Sequence, residues 1–126
     1  MSADEAHATE HWPVELRVIS KDKTLEIDFD DGKSFVLPAE LLRVESPSAE
    51  VRGHGAGQKK TIPGRRHVGI MEVEPVGNYA IRIKFDDLHD TGIYSWNYLR
   101  HLGERQDEIW RAYLDNLAKQ GLSRDP

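Results

Sequence analysis

Residues 86–90 read Asp-Asp-Leu-His-Asp, the densest group of ligating side chains in the chain. Carboxylate oxygens beside an imidazole suit iron(II), manganese or zinc. His89 with Asp86, Asp87 and Asp90 is therefore a candidate metal site, which His54 or His67 could complete. The same residues also fit plain turn chemistry, since a histidine can hydrogen-bond a turn and Asp90 with Gly92 is an ordinary turn pair. Asp86 and Asp87 do not form an acid–base pair, because neighbours on a strand point to opposite faces. Ser95 could be matched with a histidine and an aspartate, but no nucleophile elbow surrounds it.

A second group carries charge rather than ligands. Arg52, Lys59, Lys60, Arg65 and Arg66 crowd the stretch Val51–His67, which holds no acid, while all 22 acidic residues lie elsewhere in a chain of net charge −5. A basic strip on an acidic body suits a charged protein partner, with Arg52, His54, Lys59, Lys60, Arg65 and Arg66 as its contacts. The plainer alternative is a solvated loop. The glycines here do not form a phosphate cradle: GHGAGQKK lacks the required spacing before Gly-Lys-Ser/Thr, and no strand leads into it. Tyr94, Trp96, Tyr98 and Trp110 could stack on bases, but aromatics near a helix start serve the core and the acidic remainder repels nucleic acid.

These groups need elements to hold them. Leu16 and Val18 alternate with Glu15 and Arg17, and Leu25, Ile27 and Phe29 alternate again, so Val14–Ile19 and Thr24–Phe29 read as paired strands. Their pairing sets Arg17 opposite Glu26 across a turn at Lys21-Asp22. Asp30-Asp31-Gly32 turns into a third strand, Ser34–Leu37. Pro38 opens a short helix that Leu41 and Leu42 seat on the sheet. Ala49–Arg66 reads as one long loop. Val68–Pro75 and Ala80–Phe85 form a second hairpin around Gly77-Asn78-Tyr79, pairing Glu74 with Arg82, Glu72 with Lys84, Val73 with Ile83 and Met71 with Phe85. Ser95 caps a helix that Gly103 stops, which parts His101 from Glu104. An amphipathic helix runs from Glu104 to Gln120 and caps the sheet, and Gly121 ends it.

The chain has 126 residues and no cysteine, which predicts one domain and excludes disulfides and thiolate metal sites. Lack of cysteine fits a cytoplasmic location. No apolar run is long enough to span a bilayer, so no membrane association is expected. The polar, acidic start is not a secretory signal, and residues 1–11 are expected to be disordered.

LLRVESPSAEVRGHG, EPVGNYAIRIKFDD and HDTGIYSWNYLRHL together resemble the gamma-butyrobetaine-hydroxylase-like N-terminal domain family, in its stand-alone bacterial form, over about residues 12–103. The resemblance implies an α+β fold, a small and mainly antiparallel β-sheet of hairpins with short peripheral helices. To this the chain adds the C-terminal helix and tail, 104–126. In the oxygenases that share the domain, three cysteines and one histidine hold zinc. By that resemblance their positions fall on Ser46, Ser48, Val51 and His89, so the Cys3His site is expected to be absent. Oxygenase activity is not implied, because no histidine is followed two residues later by a carboxylate. The expected function is a non-catalytic accessory domain that presents the His89 segment and the basic loop, 51–67, to a protein partner. Iron–sulfur assembly is one setting the resemblance suggests. The alternative is an iron- or zinc-binding module centred on His89.

Overall fold

Alternating apolar residues build two antiparallel sheets. A computed structural model describes residues 9–53 and 59–126; His54 and most of the expected disordered start lie outside the described residues. Strands β1 (Pro13–Ile19), β2 (Thr24–Phe29) and β3 (Ser34–Pro38) form one sheet. Strands β4 (Ile70–Val76), β5 (Ala80–Phe85) and β6 (Ile93–Ser95) form the other. Helices α1 (Ala39–Val44) and α2 (Ala49–Arg52) lie between the sheets in sequence, and α3 (Trp96–Glu104) and α4 (Gln106–Gln120) follow. The class is α+β, with two small sheets where one was expected.

The two hairpins are built alike. In β1–β2, Leu16 pairs with Ile27, Arg17 with Glu26 and Val18 with Leu25, as charge and hydrophobicity require. In β4–β5, Glu72 pairs with Lys84, Val73 with Ile83 and Glu74 with Arg82. Both first strands bulge near their start, at Val14 and at Met71, and each carries a proline, Pro13 or Pro75. The second bulge corrects one expected pair: Ile70, not Met71, faces Phe85. The extra residue turns Met71 outward and lets Ile70 pack against the core.

Other local readings change for equally physical reasons. The first turn is a 3-10 turn over Ser20–Asp22 closed by Lys23 in the left-handed region, not a two-residue turn at Lys21-Asp22. Pro38 stays extended and precedes α1. Ser48 opens the short helix α2 inside the expected loop. Ile93–Ser95 forms a third strand on the second sheet, too short to show an alternation. Gly103 does not stop α3, which keeps His101 and Glu104 in one helix. Gly103 instead admits Phe35, whose ring would lie 2.5 Å from a Cβ there. Ser95 does cap α3, accepting from the Tyr98 N–H at 3.1 Å.

One core joins the sheets and helices. Leu25, Ile27, Phe29 and Leu37 meet Ile81, Ile83, Phe85 and Tyr94, with Leu41, Leu42, Leu99 and Leu102 from the helices. Each such side chain contributes roughly 1.5–3 kcal/mol by leaving water. Tyr113 and Leu117 of α4 close over Val44. Among the described residues no helix is long and apolar enough to cross a membrane.

Candidate functional site

The β5–β6 connection is a tight, well-pinned turn. The Leu88 N–H donates to Phe85 O at 3.0 Å, and the Phe85 N–H donates to His89 O at 3.0 Å. Asp87 accepts the His89 N–H at 3.1 Å and the Nε of both Arg43 and Arg65 at 2.7 Å. Burial pushes the Asp87 carboxyl up, but that N–H and the two guanidinium groups outweigh it and hold it below the ordinary range. Between these anchors Leu88 sits at φ 73° and is 78% exposed.

His89 points inward from this turn. Its Nε2 lies 2.9 Å from Ser46 Oγ and 3.3 Å from Ser48 Oγ, and its Nδ1 lies 3.1 Å from Glu50 Oε2. A carboxylate only accepts, so Nδ1 carries the proton and Nε2 accepts from serine. Burial, with Arg43 next, pushes the imidazole below its usual value against the opposing pull of Glu50 and Asp87. The ring is therefore neutral at neutral pH. Thr91 donates to the other Glu50 oxygen at 3.1 Å. Gly92 is required beside this cluster, because a Cβ there would lie 2.4 Å from Ser46 Oγ.

The expected metal ligands do not gather. Among the described residues, His89 and the aspartates are not within one ligating group. Asp86 is exposed, with its N–H on Gly69 O; Asp87 is spent on arginines; Asp90 is half-buried in the connection between β5 and β6. Sequence reasoning missed Glu50, which the spacing Ser46-x-Ser48-x-Glu50 placed near the serines. The zinc positions of the resembled oxygenases do converge in part: Ser46 and Ser48 share His89, and Val51 is fully buried in α2 next to them in sequence. Two neutral hydroxyls, one imidazole and a valine are not a zinc donor set, so the residues do not fit that metal. His11, Asp30 and Asp31 form another close group, but Asp31 is forked by Arg100 at 2.8 and 3.0 Å.

The serine–histidine–glutamate distances are those of a nucleophile–base relay. Ser46 has no exposed surface, however, and Ser48 is 7% exposed beside an open groove of about 500 Å³. A substrate carbonyl has no approach to Ser46 Oγ. The arrangement acts as a hydrogen-bonded plug between α1–α2 and the β5–β6 turn.

The basic strip folds onto its own acids. Lys59 Nζ meets the buried Glu45 carboxylate at 2.7 Å, and Arg52 reaches Glu45 O at 3.0 Å and the Tyr98 hydroxyl. Arg65 pairs with Asp87 and Arg66 with Asp125. Lys60 is exposed, with its N–H on Val51 O, and His67 offers its carbonyl to Lys23.

A family model described as gamma-butyrobetaine hydroxylase-like, N-terminal, matches residues 16–100. The chain belongs to this family. Two proteins solved by NMR in solution are similar to this gamma-butyrobetaine hydroxylase-like domain. The first is 45% identical with a TM-score of 0.80, over 92% of this chain and 91% of that one. The second is 42% identical with a TM-score of 0.82, over 100% and 92%. A crystal structure of a protein of unknown function of the DUF971 family from Acidithiobacillus ferrooxidans is 40% identical, with a TM-score of 0.62 over 72% and 91%. No curated protein matches the domain.

Proposed function

We propose that this domain is a non-catalytic accessory module that docks a protein partner through the His89 segment, with Leu88 as its anchor. The observation that carries the reading is Leu88 itself. A leucine in the left-handed region is disfavoured by about 1–2 kcal/mol, and here it is also left in water. Turns of this shape favour glycine or asparagine, so a displayed leucine points to use rather than to folding. The turn is rigid, held by Asp87 between two arginines, and rigidity lowers the ordering cost of binding. Asp86 and Asp90 flank the leucine, which suits an apolar pocket with a basic rim.

The basic strip plays a supporting part, because Arg52, Lys59, Arg65 and Arg66 are already paired within the fold. Reversing their charges breaks internal pairs as well as any contact. A photo-crosslinking amino acid at position 88, compared with one at the exposed Val36, tests the reading without that confusion. Discrete adducts at 88 and none at 36 are expected. Matching adduct patterns, or none at 88, would overturn it.

A further inference from the structure

Beyond α4 the chain turns back at Gly121, in the left-handed region, and runs as a short strap bonded to residues 64 and 66. The Gly64 N–H donates to Ser123 O at 2.9 Å and the Arg66 N–H donates to Arg124 O at 3.0 Å, two backbone bonds that tie the tail to the loop. Gly64 sits at φ 72°, where a side chain is strained, and a Cβ there would touch Pro126 Cα at 3.4 Å. Arg124 forks Glu40 at 2.6 and 2.8 Å and lies 5.2 Å from the Trp110 ring centroid. Asp125 accepts from Arg66. The strap does not fill the space it crosses. A cavity of about 300 Å³ remains beside Arg124, walled by Pro38, Leu41 and Trp110 with Gln106 and Asp107.

We propose that this is a groove for a short peptide segment of a partner carrying an arginine followed by an acid, and that residues 122–126 occupy it as an internal stand-in. The strap's own bonds state the ligand chemistry. Two backbone carbonyls, of Ser123 and Arg124, meet two loop N–H groups and hold the segment's main chain in place. The Glu40 side chain is 7% exposed and cannot be left without a cation, so an incoming segment must replace the guanidinium it displaces. A lysine offers a point charge in place of the fork and does not stack on Trp110 as well. The acid that follows reaches Arg66, whose pair with Asp125 is solvent-exposed and weak. Short exposed segments open locally far below the cost of unfolding, so the strap can give way. This groove is separate from the Leu88 anchor and does not depend on it.

The test uses the full chain and the acetylated pentapeptide Leu-Ser-Arg-Asp-Pro. Binding is read from the Trp110 indole N–H signal, assigned with Trp110→Phe. Arg124→Ala frees Glu40 and the Trp110 face and loosens the strap, while in the wild type the tethered strap competes at high local concentration. The peptide should therefore bind Arg124→Ala about tenfold tighter, or more, than it binds the wild type. Alanine in place of the peptide's arginine should abolish binding. If Arg124→Ala does not fold, Arg124→Lys keeps the charge without the fork and should show the same order of affinities. No saturable binding to a folded variant, or equal binding of the arginine-free peptide, would overturn the proposal.

Discussion

Replacing Leu88 with glycine separates display from packing. The left-handed backbone at φ 73° costs a leucine about 1–2 kcal/mol, which glycine recovers. Glycine in turn loses about 0.5–1 kcal/mol through its freer unfolded chain. With 78% of its surface exposed, Leu88 gives up only about 0.4 kcal/mol of burial, a fifth of a fully buried side chain. The balance places Leu88→Gly within about 0.5 kcal/mol of the wild type, on the stabilising side. Leu114→Gly, in the middle of α4 and 38% exposed, supplies the contrast, losing about 2 kcal/mol from helix propensity and burial. Urea unfolding followed by far-UV circular dichroism, with unchanged m-values, reads both. A loss above about 1 kcal/mol for Leu88→Gly would refute the argument, because the side chain would then be holding the fold and not facing a partner.

Three further outcomes follow from the same geometry. Gly103→Ala drives a methyl into the Phe35 ring and should lower stability by about 1–3 kcal/mol, visible as an earlier urea midpoint. His89 is held neutral by burial, so its pKa is depressed in the fold; that stability is complete above about pH 6.5 and fades as pH falls below it toward the folded value. Unfolding curves between pH 7.5 and 5 should lose stability in the wild type more steeply than in His89→Gln, and parallel curves would count against it. Ser46→Cys, Ser48→Cys and Val51→Cys together restore the donor set that the oxygenase resemblance implies, and should bind one equivalent of zinc by native mass spectrometry. At a hundredfold excess over Kd the metal would add about 2.7 kcal/mol. A folded triple variant without zinc refutes the reading of 46, 48, 51 and 89 as one ligand set.

The strand pairs were legible because alternation and cross-strand charge agree. Leu16, Val18, Leu25 and Ile27 leave one register that buries every apolar side chain, and Arg17 opposite Glu26 selects the same one. Bulges leave no such mark, so Met71 was paired with Phe85 until the backbone placed Ile70 there. Gly103 misled for a related reason: a glycine that ends a helix and one that admits a ring look the same in sequence. At the site, His89 stood out among its neighbouring aspartates and the serines came from the resemblance, whereas Glu50 and Arg43 were missed because their contacts span 39 and 44 residues. The basic strip was visible as composition, but only folding shows that most of its charge is answered from within.

The prolines and bulges of the outer strands have a consequence for the protein in concentrated solution. A three-stranded sheet leaves two rims of backbone donors and acceptors, each a template on which another copy could lay a strand. Here β1 and β4 are both kinked by a bulge and each lacks one N–H at its proline, β3 ends in Pro38, and β6 has only three residues. Among the described residues, no rim offers a long, straight run of donors for a neighbour to copy. The chain can thus keep Val14 and Met71 in water without offering an edge on which copies would stack.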